Sequence, residues 1–276
     1  MNKSSLLVIR RFVVLLLCSS FVSPSSAIII RHDVGPARYE VRESSYPSVF
    51  FLEQQGNRKF CAATVIHQQW AITAAHCVEQ TLLGNTLANG RDFAVIIAGQ
   101  DREIDAVIIH PDFDLEDAAD VDLALLRFKQ TSATPRVMPL HLRKPETDTI
   151  VTLLGWGYFG LGTTGRQYND GNLRLAMNRV TDVERRFRIR FDDPRDSASQ
   201  TLPLEGMPSL GDSGGPALLE NENGLFLVGI TVGEVETDDF SEETQGKYGA
   251  VAVYESVVSQ LDWIEAVIGS LAPFDS

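Results

Sequence analysis

An all-β barrel architecture is the fold class that this 276-residue sequence predicts. Two observations carry it. Short β-rich runs recur between turn signals, with none of the strand–helix–strand alternation of a parallel sheet. Only the last stretch, Tyr254 to Gly269, has apolar residues at helical spacing, which predicts a C-terminal helix over 254–269. The first set of runs is Val49–Leu52, Cys61–Ile66, Trp70–Thr73, Ala94–Ala98, Ala106–Ile109 and Leu123–Arg127. The second is Ile150–Leu154, Leu173–Val180, Phe187–Phe191, Ala217–Leu219, Leu225–Thr231 and Gly249–Val253. The sequence has no internal repeat and no linker of disordered composition.

Ahead of the strands, residues 1–27 read as a secretory signal. Lys3, Arg10 and Arg11 give the positive start, Phe12 to Leu17 the apolar core, and Ser25-Ser26-Ala27 a small-residue cleavage site. The apolar run is too short to span a membrane. Arg10-Arg11 is also compatible with twin-arginine export, while bulky Leu17 before Cys18 argues against a lipoprotein signal. Cleavage removes three basic residues and no acidic one, taking the formal charge from −13 to −16. Such acidity disfavours nucleic acid and anionic membranes as partners. Cys61 and Cys77 are then an even pair in a chain bound for an oxidising compartment, extracellular or periplasmic.

Chemistry concentrates in Gly211-Asp212-Ser213-Gly214-Gly215-Pro216. Ser213 is a candidate nucleophile, and Gly211 permits a sharp turn that aims its N–H, with that of Ser213, at one point. Alone, the run also fits an ordinary loop. A serine nucleophile needs a general base, and the base needs an anion to hold its tautomer. His76 closes the apolar stretch Trp70-Ala71-Ile72-Thr73-Ala74-Ala75, and Asp122 heads the apolar run Leu123-Ala124-Leu125-Leu126. Taken singly, each also fits a structural role. Two acidic stretches, Asp112–Glu116 and Glu234–Glu243, lack metal-ligand spacing and read as solvated loops. No metal and no cofactor is expected.

The order His…Asp…Ser, with Thr73-Ala74-Ala75-His76-Cys77, Asp122-Leu123-Ala124-Leu125-Leu126 and the Ser213 segment, resembles the trypsin/chymotrypsin family of serine endopeptidases. Gly155-Trp156-Gly157 and Trp263-Ile264 are similar to further family landmarks. The resemblance runs from about Ile28 to Ile268. It implies two six-stranded antiparallel barrels, at about 28–145 and 146–253, with the active site in the cleft between them. It implies a secreted, monomeric endopeptidase acting through an acyl-enzyme, with protein or peptide substrates and protein inhibitors as partners. His76 would be the base, Asp122 its orienting anion, Ser213 the nucleophile, and the Gly211 and Ser213 N–H groups the oxyanion hole. It also implies a Cys61–Cys77 disulfide, and an ion pair between Asp212 and the ammonium of a processed N-terminus.

This chain departs from the family pattern at several places. No basic residue precedes Ile or Val between Ile28 and His76, so cleavage after Ala27 would itself create the N-terminus at Ile28. Ile28-Ile29-Ile30-Arg31 lacks the usual glycine pair. Ser209 stands where a bridging cysteine is expected. Met207 occupies the pocket floor where trypsin-like members keep an aspartate, which favours an apolar P1 residue. Gly233 and Gly249 fall near the pocket walls and Glu234 near its entrance. A non-catalytic binding module on the same fold is the competing reading, and the presence of all three triad residue types argues against it.

Overall fold

The computed structural model describes residues 28–114, 120–236, 241 and 245–269. The leader assigned to 1–27 lies outside the described residues, as do parts of both acidic stretches. Among the described residues, no helix is long and apolar enough to cross a membrane.

In chain order the elements begin with β1 (Ile29–Ile30), β2 (Val49–Gln55), β3 (Arg58–His67) and β4 (Trp70–Thr73). Two short helices follow, α1 (His76–Gln80) and α2 (Leu82–Ala88), then β5 (Phe93–Ile97), β6 (Gln100–Ile109) and β7 (Ala124–Phe128). The second half holds β8 (Ile150–Gly155), β9 (Phe159–Leu161), β10 (Gly165–Tyr168), β11 (Arg174–Val183) and β12 (Arg186–Arg190). It continues with β13 (Gly206–Met207), β14 (Pro216–Asn221), β15 (Gly224–Glu234), β16 (Val251–Ser256) and α3 (Leu261–Ile268).

The strands form two six-stranded antiparallel units. One has the order β2-β3-β4-β7-β6-β5, with its edge strands β2 and β5 packed side by side, and the other is a closed barrel in the order β11-β12-β16-β15-β14-β8. The period-two pattern explains them. In β5, Phe93, Val95 and Ile97 point inward while Ala94 and Ile96 face solvent. In the second barrel, Phe187 stacks on Tyr254 with ring centroids 5.1 Å apart. Burial of these apolar faces is the main favourable term in the fold.

The short helices α1 and α2 are not expected from the sequence, and two further features differ from it. Tyr254 to Ser256 belong to the last strand, because β12 offers Tyr254 and Glu255 ladder partners at Phe187 and Arg186, and β15 offers Ser256 one at Gly229. The helical part starts later, with a 3₁₀ turn over Val257–Gln260 running into α3. Its Ile264 and Trp263 pack on the first-barrel core, so the chain end ties the two halves together. The second feature is β1, which joins neither six-stranded unit. It lies in a separate sheet of order β10-β9-β1-β13, parallel to β9 and antiparallel to β13.

Cys61 on β3 and Cys77 on α1 are disulfide-bonded, with Cα atoms 5.9 Å apart and 16 positions between them in sequence. Closing a loop of this size is worth about 3 kcal/mol in the chain-entropy account. Replacing both cysteines by alanine should therefore lower the unfolding free energy by about that amount in urea titration. An unchanged midpoint would show that the bridge does not hold the loop.

Candidate active site

His76 opens α1 directly after β4, and Asp122 sits in the turn that leads into β7. Because β4 and β7 are ladder partners, with Thr73 opposite Ala124, the two residues emerge side by side at one end of the first barrel. Asp122 holds His76 twice. Its Oδ1 accepts from the His76 backbone N–H at 2.9 Å, and its Oδ2 lies 2.6 Å from His76 Nδ1. Both residues are buried. This leaves Nε2 as the ring nitrogen facing away from the carboxylate.

Ser213 comes from the second barrel, on the turn before β14. Gly214 fixes its approach: a Cβ there would lie 2.2 Å from both Ala62 O and Thr73 Oγ1, and its φ is +76°. Only glycine lets the turn press on the strands that lead into His76. The contact is sealed by the Ala62 N–H, which donates to Ser213 O at 2.7 Å. Within the turn, the N–H groups of Asp212, Gly214 and Gly215 are used in backbone hydrogen bonds, and among the described residues those of Gly211 and Ser213 have none. Gly211 adopts φ +98°.

Asp212 points the other way, into the second barrel, and is fully buried. Its Oδ1 accepts from Gly157 N–H at 2.6 Å and its Oδ2 from Ser209 N–H at 2.8 Å. Gly155 leaves the room for it, since a Cβ there would sit 1.9 Å from Oδ1. Burial nevertheless pushes the Asp212 carboxyl up to about 7, against the pull of these donors. The donors bracket β1. Gly157 precedes β9 and Ser209 follows β13, the two strands between which β1 lies. Ile28, at the entry of β1, is buried and held at φ +62°, a strained value for a β-branched residue.

A family model described as Trypsin matches residues 37–264. The chain belongs to the trypsin family. Mouse ovochymase-2 is 29% identical over 217 residues, covering 70% of this chain and 33% of that protein. A collagenase of Hypoderma lineatum is 25% identical over 269 residues, covering 91% of this chain and 94% of its own length. The structure of neuropsin, a serine protease expressed in mouse brain, superposes with a TM-score of 0.60 at 19% identity, over 83% of this chain and 98% of that one. The chain thus spans a third of ovochymase-2, and under half of mouse vitamin K-dependent protein C, of which 46% is covered.

Within this trypsin-family fold, the expected pocket residues divide into two groups. Met207 is buried and paired with Ile29 across β13 and β1. Ile29 in turn packs at Gly246, whose N–H donates to the Glu234 carboxylate at 3.2 Å. Burial pushes the Glu234 carboxyl up to about 7 as well. Gly233 has open space where a Cβ would be. Gly249 lies elsewhere, lining a cavity of about 330 Å³ with Arg190, Asp192, Asp193 and Tyr248. Ser209 is buried, and among the described residues its Oγ has no hydrogen-bond partner. Cys61, His76 and Cys77 bring their ligand-type atoms within 4.8 Å of one another. The disulfide consumes both sulfurs, so this cluster cannot offer thiolates to a metal.

The sequence reading missed the donors Gly157 and Ser209, and it missed the buried Glu255 behind Asp122. A charge inside the apolar strand Val251-Ala252-Val253-Tyr254-Glu255 was the available signal for the last. The raised Asp212 carboxyl yields a signed prediction for the full chain, where Ile28 carries an amide and no charge. Between about pH 4 and pH 7 the unfolded state releases the Asp212 proton while the folded state keeps it, so this residue makes stability fall as pH rises. Glu234 acts in the same direction. Asp212→Asn should therefore flatten, but not abolish, the decline in thermal midpoint across this window. An unaltered slope would contradict the buried neutral carboxyl.

Proposed function

We propose that this chain is a secreted serine endopeptidase that cleaves peptide bonds through an acyl-enzyme on Ser213. The observation that carries the reading is the double hold of Asp122 on His76, beside a glycine-lined turn that presents Ser213 across the barrel interface. In this reading Asp122 fixes the His76 tautomer with its proton on Nδ1, leaving Nε2 to take the Ser213 proton as Oγ attacks the carbonyl carbon. The same nitrogen returns that proton to the leaving amine. Water then repeats the sequence on the ester. The Gly211 and Ser213 N–H groups, unused in the turn, receive the developing oxyanion. Protein or peptide substrates follow from the chemistry.

The N-terminus completes the site in this proposal. Cleavage after Ala27 would make Ile28 an ammonium at the end of β1 nearest the Asp212 donors. It would also remove the strained φ of Ile28, a torsion that exists only while residue 27 is attached. An ammonium beside Asp212 would let that carboxyl ionise in its buried site. Export would then itself activate the enzyme, without a separate activating protease. N-terminal sequencing of active secreted protein should return Ile28, and full activity from a chain with a different start would overturn the activation route.

Activity itself is tested by substitution. Ser213→Ala and His76→Ala should each reduce kcat by about 10⁶ with the fold intact, and Asp122→Asn by about 10⁴, following the handling of such triads elsewhere. Wild-type protein should be labelled at Ser213 by a fluorophosphonate. A folded, correctly processed chain that resists the label would support a binding module instead. The buried, uncharged Met207 and the disfavoured charge on Glu234 support an apolar P1 residue. Peptide substrates ending in Phe, Tyr, Leu or Met should outperform Arg and Lys in kcat/KM, and the reverse order would place an ionised carboxylate in the pocket.

A further inference from the structure

We propose that Glu255 is a positioning residue for Asp122, a second-barrel carboxylate that holds the first-barrel turn presenting Asp122 to His76. The inference rests on the protease reading above and goes beyond the triad. Glu255 lies on β16 and is fully buried. Its Oε1 accepts from the Asp122 backbone N–H at 3.2 Å and from Arg186 Nε at 2.6 Å, while its Oε2 accepts from Arg185 Nη1 at 3.0 Å. Both guanidinium groups also reach the same turn, donating to Asp120 O at 2.6 and 2.7 Å. The turn is therefore gripped at Asp120 and at Asp122 by a single cluster of the opposite barrel.

A buried backbone N–H needs an acceptor, and a neutral one would satisfy it. Here the acceptor is a carboxylate balanced by two cations, which makes a stronger and more directional bond than a neutral carbonyl. The bond ends on the residue whose side chain aligns the base, so a small rotation of this turn would move Asp122 Oδ2 away from His76 Nδ1. Among the described residues, the charged and titratable groups facing Glu255 are Asp120, Asp122, Arg185 and Arg186, with His76 beyond Asp122 and His110 just past the end of β6. Among the described residues, the cluster holds two acidic side chains, Glu255 and Asp120, and two basic ones, Arg185 and Arg186. Deleting one member therefore places a net charge beside the His76–Asp122 pair, with a sign set by which member is lost.

The test compares secreted full-length wild type with Glu255→Gln and Arg185→Gln, using a chromogenic peptide and a fluorophosphonate label. Glu255→Gln should lower kcat about tenfold with KM little changed, because alignment and not binding is lost. Its surplus positive charge should move the acid limb of kcat/KM to lower pH. Arg185→Gln leaves surplus negative charge and should move that limb to higher pH. A purely structural ion cluster would lower the thermal midpoint in both variants and leave the plateau kcat of folded Glu255→Gln at the wild-type value. If wild type is neither labelled nor active, the protease reading fails and this proposal falls with it. If wild type is active and the two variants keep its kcat and its acid limb, only the positioning role is overturned. Should Glu255→Gln not fold, the half-exposed Arg185 decides the matter: a limb that stays in place or moves to lower pH in Arg185→Gln contradicts the proposal.

Discussion

A carboxylate enclosed in the second barrel sets the shape of everything around it. Asp212 cannot reach water, so the turn from Ser209 to Gly215 must bend until backbone donors meet its oxygens, and Gly155 and Gly157 must stay without side chains to admit it. Among the described residues, the Gly211 and Ser213 N–H groups make no backbone hydrogen bond in that bend. The bend also ties the Ser213 segment to β9 and β13, and through them to β1. The carboxyl is held by two neutral donors and still prefers its proton at about 7. A buried acid in this condition responds strongly to any cation brought beside it. The Arg174 guanidinium already pulls it down from a distance, and a free amino group at Ile28 is the further cation that the proposed processing would supply.

The site is divided between the barrels, so its geometry depends on how they are joined. His76 and Asp122 stand on the first, and Ser213 with the Gly211 turn on the second. Three connections cross the gap close to the chemistry. The Ala62 N–H meets Ser213 O, Gly214 presses on Thr73, and Glu255 holds the Asp122 turn. The C-terminal helix adds a fourth tie at a distance, with Trp263 against His110 at 4.7 Å. The Cys61–Cys77 bridge serves the same end from within the first barrel, fixing the start of α1 to β3. Each connection restricts the motion of His76, Asp122 or Ser213 relative to its surroundings.

The barrel strands were legible because their faces alternate or run apolar, as in Phe93–Ile97 and Trp70–Thr73, and turn residues separate them. Asp122 was legible by contrast, as a charge at the head of an apolar run, and His76 by its place after one. Tyr254 was misread because Val251 to Ser256 satisfies both a strand and a helical spacing. Only the partner strand β12 decides between them. The insertion of β1 between β9 and β13 was out of reach for a different reason. Three isoleucines signal burial without saying against what, and their partners lie more than a hundred residues away in sequence. The neighbours of Gly249 and the donors to Asp212 were hidden likewise, since a backbone N–H carries no residue signature.

The claim that most depends on this structure is that Asp212 is a buried acid waiting for the amino terminus of Ile28. It can be observed directly by following the ¹³C resonance of the Asp212 carboxyl across pH in two proteins, one beginning at Ile28 and one keeping Ala27 and the residues before it. With the extension, the carboxyl should titrate near neutrality, at about 7. With Ile28 free, it should stay ionised down into the ordinary acidic range. Identical titration in both proteins would contradict the account.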